Sequence, residues 1–202
     1  MKLYYDPASC ALSPHIVLCE AGLPHEIEKV DLAAGRTESG ADFRAIHPLG
    51  CVPVLALDDG QILTEGGVIV QYLADQAPQA GLIPPPLTMA RYRVLEWLSF
   101  VSSELHRRYT PLFDAGLSDD YRATVLKRLY HRFDIVEKQL SEQRYLTGDA
   151  FCVADAYCFT ILNWAGYVKV DMAPWPILRD YHARVAQRRG VQEAMRAEGL
   201  VD

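Results

Sequence analysis

The sequence predicts an α/β domain followed by an all-helical domain, and three observations lead to this prediction. Strand and helix patterns alternate in the first 80 residues, whereas helical periodicity alone follows from residue 88. The stretch between them contains three consecutive prolines, which disfavour helix and sheet alike. We therefore expect an α/β domain at 1–80, a linker at 81–87 and an all-α domain at 88–202.

The first domain begins with a strand over residues 2–5. A helix follows, with Ser13 as its predicted N-cap and Pro14 at its first position, and it ends before Gly22. Alternation of apolar and polar residues over 25–32 predicts a second strand. The polar stretch up to residue 47 has no clear pattern apart from a short helical one near its end.

A hairpin and a helix complete this domain. Two β-rich runs, residues 50–57 and 61–64, are joined by an Asp-Asp-Gly turn, which is a strong hairpin signal. A helix over 68–74 follows. The resulting order, βαβ and then ββα, suits a small mixed sheet with helices on its faces.

The second domain has helical periodicity only. Five helices are predicted, over residues 88–109, 119–143, 153–168, 177–187 and 191–198. Cys152 occupies the N-cap position of the third, three residues before Asp155, where Ser or Thr caps better.

Charge and composition exclude several classes of protein. The chain has 202 residues and a formal net charge of -6, which argues against nucleic acid or an anionic membrane as its main partner. No apolar run is long enough for a membrane span, and the N-terminus lacks the pattern of a signal peptide. We expect a cytoplasmic protein.

The cysteines indicate reduced thiols. There are five, without a Cys-x-x-Cys pair or a Cys/His cluster of zinc-like spacing, so no metal site is predicted. Cys19 and Cys158 fall in apolar helical patterns and are expected in the core. Cys10 instead lies in a loop ahead of a helix, where the helix dipole favours the thiolate, which is a nucleophile, a metal ligand and a disulfide partner.

Three further features allow a structural or a functional interpretation. Val52-Pro53 in a strand pattern is a strand end, or a cis peptide whose neighbour pairs with an extended peptide. Glu65-Gly66-Gly67 is a helix cap, or a site for a zwitterion. The cationic turn around His106 complements the helix dipole, or holds groups that face an anion or a thiolate.

Taken together, these motifs resemble the glutathione S-transferase family over nearly the whole chain, and most closely its bacterial beta class. The fragments that carry the resemblance are MKLYY, LSPHIVL, TESG, VPVL, ILTEG, IVQYLAD, SELH, YLTGD, VADAY and AEGL. The resemblance implies a thioredoxin-like first domain, a helical second domain, a homodimer and glutathione as co-substrate, without a metal.

The resemblance also implies roles for individual residues. Cys10 and His106 would be catalytic, with Cys10 facing the glutathione sulfur. The glutathione-binding set would be Cys10, Gly35, Arg36, Val52, Pro53, Glu65, Gly66, Ser99, Ser103, Glu104, His106 and Arg107. Glu104 would reach the ligand of the neighbouring subunit. A pocket for the second substrate would be lined by Tyr109, Pro111, Trp164 and Tyr167.

The chain departs from the family pattern at some of these positions. Gly35 stands where beta-class members usually carry a lysine, and Arg36 is the predicted substitute for its charge. Ser99 replaces an asparagine, and Ala11 a serine.

The resemblance implies that the protein conjugates glutathione to hydrophobic electrophiles such as aryl halides. Two alternatives stay open. One is a thiol–disulfide reductase or reductive dehalogenase that works through a Cys10–glutathione mixed disulfide. The other is a glutathione-binding or interaction protein with little catalysis.

Overall fold

The computed structural model describes all 202 residues, and contacts divide the chain into two compact units. The first contains Met1–Leu82 together with Arg188–Asp202, and the second contains Ile83–Gln187. The α/β domain followed by a helical domain is therefore confirmed as the fold class.

The first unit is built on a five-stranded mixed sheet with the strand order β3-β2-β1-β4-β5. β1 pairs in parallel with β2 and antiparallel with β4, while β2–β3 and β4–β5 are antiparallel pairs. The predicted hairpin is thus present as β4 and β5. The strands are Lys2–Tyr5, Glu26–Asp31, Arg36–Thr37, Val54–Ala56 and Ile62–Thr64.

Helices α1, α2 and α3 of the first unit comprise Leu12–Ala21, Phe43–Ile46 and Gly66–Gln76. The predicted N-cap at Ser13 is wrong, since Ala11 is the N-cap and Ser13 lies within the first turn. The reason is local: Ser9 Oγ accepts a hydrogen bond from the backbone of Ala11, while the Ser13 hydroxyl donates to the carbonyl of Cys10. Gly22 ends α1 in the left-handed conformation, as predicted.

The last helix, α10 (Arg189–Ala197), packs against α1 and so belongs with the first unit, although the sequence grouped it with the helical domain. Gly190 permits this packing, because a Cβ there would lie 2.7 Å from Cγ of Glu20. The Arg188 guanidinium donates to both carboxylate oxygens of Glu20, at 2.9 and 2.6 Å. Helical periodicity predicts a helix near the C-terminus, but it does not show which other helix packs against it. The sequence alone therefore could not assign α10 to the first unit.

The second unit is helical throughout. Its helices α4 to α9 comprise Met89–Phe100, Arg107–Tyr109, Asp119–Glu142, Val153–Leu162, Trp164–Tyr167 and Pro176–Ala186. A π-helical segment, Val101–His106, joins α4 to α5, so the predicted helix over 88–109 is continuous but irregular. No helix of the chain has the length and apolar character that crossing a membrane requires.

Capping and burial explain where these helices form. Thr88 and Ser118 cap α4 and α6 by accepting backbone hydrogen bonds. Along α6 the buried residues recur at intervals of three or four, which places them on one face; they are Val125, Leu129, Phe133, Val136 and Leu140. That face builds the core of the helical unit.

Asp155 fixes the start of α7. Its fully buried carboxylate accepts hydrogen bonds from the backbone of Cys152 and Leu146 and from the Tyr181 hydroxyl, at 2.9, 3.0 and 2.9 Å. Burial raises its pKa in spite of these bonds. This geometry agrees with the interpretation of Cys152 and Asp155 as a capping motif at the start of α7.

Candidate active site

Cys10 lies directly before the N-cap of α1, in the loop that follows β1. The residue as a whole is partly exposed, and its thiol donates a hydrogen bond to the backbone carbonyl of Val52 at 3.3 Å. The two residues that the sequence assigned to the glutathione sulfur and to its backbone are therefore in contact in this unit.

The helix dipole favours the thiolate at Cys10, but burial acts in the opposite direction. Burial of the sulfur raises the pKa of Cys10 to about 12, although its own backbone N–H favours the thiolate. The other amides near the helix start are occupied, since those of Ala11, Leu12 and Ser13 bond to Ser9 Oγ and to the carbonyls of Ser9 and Cys10. Desolvation of the sulfur thus affects the pKa of Cys10 more strongly than its position before a helix does.

Val52 and Pro53 lead into β4. The peptide bond between them is cis, as the functional interpretation required. The backbone N–H of Val52 makes no hydrogen bond within the chain, which leaves it free for a strand-like partner. Pro53 also lies beside the helix start of α3, where a Cβ on Gly66 would be 3.6 Å from Pro53 Cγ.

Glu65 and Gly66 form the start of α3. Glu65 is at the N-cap with φ of 66° and ψ of 107°, an uncommon conformation for a non-glycine residue. Its exposed carboxylate caps no amide and forms no ion pair, and the N–H groups of Gly66 and Gly67 are unpaired. The Glu65 side chain is therefore not a hydrogen-bonding cap, and two unpaired amides lie next to a free carboxylate.

Gly35 ends the turn between β2 and β3, and Arg36 is the first residue of β3. The Arg36 guanidinium donates to the carbonyl of Gly40 at 2.9 Å and is exposed. A different cation, Arg44, lies along this turn: a Cβ on Gly35 would be 3.7 Å from Arg44 Nε, and one on Gly50 would be 3.4 Å from it.

Arg44 is a residue that the sequence analysis missed. Its guanidinium is exposed and forms no hydrogen bond or ion pair within the chain. It lies between the turn of Gly35 and the segment that leads to Val52. No pattern in the sequence indicates this, because α2 brings Arg44 to Gly50 only after the chain has folded.

In the helical unit, His106 ends the π-helical segment. Its Nδ1 shares a hydrogen bond of 2.8 Å with the Tyr157 hydroxyl, and its ring lies 4.8 Å from that of Trp164, edge to face. Burial, together with the charge of Arg107, lowers the pKa of His106 to about 4. The imidazole is therefore neutral at pH 7, with one N–H to donate.

The polar residues near His106 are held in different ways. Glu104 accepts two hydrogen bonds from Arg132, at 2.9 and 2.7 Å, which lower the pKa of its carboxyl. The Ser103 hydroxyl donates to the carbonyl of Ser99 at 2.9 Å, one helical turn earlier. Ser99 and Arg107 are exposed.

The four residues assigned to a second-substrate pocket differ in exposure. Tyr109 is fully buried against Phe133 and Trp164, so its assignment to a pocket is corrected to the core of the helical unit. Trp164 is also largely buried, Pro111 is half-buried, and Tyr167 is 61% exposed.

Another cluster escaped the sequence analysis. His15, Cys19 and His25 of the first unit bring one potential metal-ligand atom each within 4.8 Å of one another. Cys19 is half-exposed rather than in the core, whereas Cys158 is buried as predicted. The available signal was the spacing of four between His15 and Cys19, which places both on one face of α1.

Comparison with known proteins identifies the family. Family models described as the N-terminal and C-terminal domains of glutathione S-transferase match residues 8–76 and 95–189. The glutathione S-transferase GstA of Escherichia coli O157:H7 is 42% identical over 99% of this chain and 100% of its own length. The chain belongs to the glutathione S-transferase family.

Solved structures place this glutathione S-transferase among bacterial beta-class members. A sphingomonad glutathione S-transferase in complex with glutathione is 43% identical, with a TM-score of 0.95 and all of both chains covered. The beta-class enzyme of Sphingomonas chungbukensis is 42% identical, with the same TM-score and coverage. The predicted family, class and type of enzyme are confirmed.

Proposed function

We propose that this glutathione S-transferase joins the sulfur of glutathione to hydrophobic electrophiles of the aryl halide type. In such a step the glutathione thiol gives its proton to solvent, the thiolate attacks carbon, and the halide leaves with the bonding electrons. The observation that carries the proposal is the start of α3, where the unpaired Glu65 carboxylate lies beside two unpaired amides.

The start of α3 suits the γ-glutamyl end of glutathione. That end is a zwitterion with one carboxylate and one ammonium group. The N–H groups of Gly66 and Gly67 would bind the carboxylate, aided by the positive end of the helix dipole, and Glu65 would bind the ammonium. If Glu65 served only as a helix cap, neither its free carboxylate nor its uncommon backbone conformation would be needed.

Val52 and Cys10 suit the middle of glutathione. The free backbone N–H of Val52, next to Pro53, would pair with the cysteinyl backbone. The Cys10 thiol already donates a hydrogen bond at this point, so it would act on the glutathione thiolate as a donor and not as a second anion.

Arg44 would bind the glycyl carboxylate in place of the lysine that beta-class members usually carry at the position of Gly35. It is exposed and unpaired, and it lies along the turn of Gly35. Arg36, the substitute predicted from sequence, is instead bonded to Gly40. An arginine also binds a carboxylate with two parallel hydrogen bonds, which lysine does not.

The helical unit would contribute His106 as the neutral N–H donor that lowers the energy of the glutathione thiolate. Ser99, Ser103 and Arg107 stay in the proposed binding set. Glu104 is held by Arg132, so its proposed reach to the neighbouring subunit's ligand requires the free oxygen of that carboxylate. Pro111, Trp164 and Tyr167 are the proposed apolar surface for the electrophile.

Family membership also supports a homodimer in the cytoplasm as a proposal. The net charge of -6 gives no support for nucleic acid or anionic membrane as a partner.

A thiol–disulfide reductase is the second candidate, because the half-exposed Cys10 contacts Val52, where the glutathione backbone would pair. In that reaction the Cys10 thiolate attacks the glutathionyl sulfur of a glutathione mixed disulfide, the substrate thiol leaves, and a second glutathione attacks the resulting Cys10–glutathione disulfide to give oxidised glutathione. The raised pKa of Cys10 disfavours it, since the thiolate is the attacking species.

The test compares wild type and Cys10→Ala in conjugation of an aryl halide and in reduction of a glutathione mixed disulfide. We expect conjugation in both proteins. Loss of reduction in the variant with conjugation retained would assign Cys10 to redox chemistry alone. Binding of glutathione with neither activity above background would refute both enzymatic functions and leave a binding protein.

A further inference from the structure

The strongest unassigned feature is the cluster of His15, Cys19 and His25, hereafter the His–Cys–His cluster. His15 and Cys19 project from one face of α1, one turn apart, and His25 directly precedes β2. One ligand atom of each residue lies within 4.8 Å of the other two. Two imidazoles and a thiol are ligands typical of borderline transition metals.

Both imidazoles have a hydrogen-bond partner at Nδ1. His15 Nδ1 lies 2.9 Å from Oε1 of the buried Glu198 carboxylate, and His25 Nδ1 lies 2.7 Å from the carbonyl of Leu23. With Nδ1 as the donor in each bond, Nε2 carries the lone pair. Carboxylate–histidine and carbonyl–histidine pairs fix the ring tautomer in this way around protein metal sites.

Charge and access also favour a cation. The carboxylates of Glu193, Glu20 and Glu198 lie close enough to the Cys19 sulfur to act on it through their charge, and such surroundings attract a positive ion. Cys19 and His25 are half-exposed, so an ion has a path into the cluster.

We propose that the His–Cys–His cluster binds one divalent transition metal ion of the zinc type, with water as fourth ligand. Zinc bonds of about 2.0–2.3 Å require the ligand atoms to approach by roughly 1 Å, within reach of side-chain rotation. Cys19 gives its proton to solvent as the Zn–S bond forms. The ion would link α1 to the start of β2 and, through Glu198, to the C-terminal segment.

The ligands of this site are separate from those of the proposed glutathione site. None of its three ligands belongs to the residues assigned to glutathione, so metal binding and conjugation are tested separately. The sequence predicted no metal because a His-x3-Cys spacing with a distant His is far less specific than paired Cys-x-x-Cys motifs.

The test is titration of the chelator-treated full-length protein with Co²⁺, followed by displacement with Zn²⁺. We expect one equivalent of Co²⁺ to produce thiolate-to-cobalt charge transfer and the visible bands of tetrahedral cobalt. Cys19→Ser abolishes the charge transfer, and His25→Asn weakens binding by more than the roughly 10–100-fold that loss of an outer-shell partner costs. Glu198→Gln, which removes the partner of His15, weakens it about 10–100-fold.

Cys51→Ser is the matched control. Cys51 Sγ lies 3.4 Å from His47 Nε2, another pair four residues apart, but without a third ligand. We expect this variant to keep the cobalt spectrum and affinity of wild type. Circular dichroism and glutathione affinity of every variant report whether it is folded.

Two results would overturn the proposal: a spectrum lost in Cys51→Ser but kept in Cys19→Ser, or no cobalt–thiolate band in the folded wild-type protein. A second readout is thermal: Zn²⁺ raises the Tm of wild type but not that of Cys19→Ser, because only a site in the folded state shifts unfolding. An equal shift in both proteins would also refute it.

Discussion

The thiol of Cys10 donates a hydrogen bond to the backbone carbonyl of Val52 at 3.3 Å, within the first unit of the chain. A donor must keep its proton, so this contact and burial act in the same direction on the sulfur. Cys10 is consequently a neutral donor in the absence of ligand, although it directly precedes the N-cap of a helix.

Cys10 should therefore react slowly with iodoacetamide at neutral pH. A pKa of about 12 reduces the thiolate fraction, and we expect alkylation at least about 100-fold slower than for a free cysteine. Mass spectrometry of the labelled peptides over time measures this, with the exposed Cys51 as an internal comparison. Labelling of Cys10 at the rate of free cysteine would contradict the neutral thiol.

Arg44→Ala should raise the KM for glutathione. Loss of one charged hydrogen-bonding partner corresponds to about 1.5–3 kcal/mol, or roughly 10–100-fold in KM, with little change in kcat. Arg36→Ala is the matched control, since Arg36 bonds to Gly40 and we expect less than about a twofold effect. Steady-state kinetics with varied glutathione decides between them, and a larger effect of Arg36→Ala would restore the prediction made from sequence.

His106 should destabilise the protein as the pH falls. Its pKa is lowered by burial to about 4 in the folded state, whereas the unfolded value is about 6.5. The neutral ring thus contributes fully to the stability of the folded protein above about pH 6.5, and this contribution is lost as the pH falls toward 4.

Urea unfolding of wild type and His106→Gln at pH 7 and 5 measures this loss. We expect wild type to lose about 1 kcal/mol more than the variant, a figure reduced for the partial exposure of the ring. Equal losses in both proteins would show that His106 has an ordinary pKa.

Cys152→Ser should stabilise the helical unit. Cys152 is the N-cap of α7, and a serine hydroxyl accepts the first-turn amide better than sulfur does, by about 0.5–1 kcal/mol. Cys158→Ser is the contrasting control, because Cys158 is fully buried in α7 and a hydroxyl there costs about 1 kcal/mol or more. Chemical denaturation gives both values, and a destabilised Cys152→Ser would mean that packing of the sulfur outweighs its poor capping.

Much of the fold was predictable because its signals are local. The hairpin of β4 and β5 joins strands that are neighbours in the chain through an Asp-Asp-Gly turn, and Gly22 ends α1 by its own backbone preference. The N-cap of α1 was placed wrongly, since the Ser9 hydroxyl accepts from the amide of Ala11 whereas the Ser13 hydroxyl donates to the carbonyl of Cys10. Which of two nearby serines meets an amide depends on loop geometry, which a sequence pattern does not contain.

The proposed glutathione site was only partly accessible from the sequence. Motifs pointed to Cys10, Val52 and Glu65, but Arg44 gave no signal, and buried Tyr109 carried the same aromatic signal as exposed Tyr167. Exposure of an aromatic residue depends on what packs against it, and periodicity does not record which helix does so.

The sequence by itself determined the fold class and the family, because repeating patterns and contiguous motifs encode them. Only the tertiary structure decided that burial disfavours the Cys10 thiolate, that Arg44 lies along the turn of Gly35, and that His25 lies close to His15 and Cys19. These relationships depend on desolvation and on distances between residues remote in the chain. Desolvation and such distances are defined only in the folded chain.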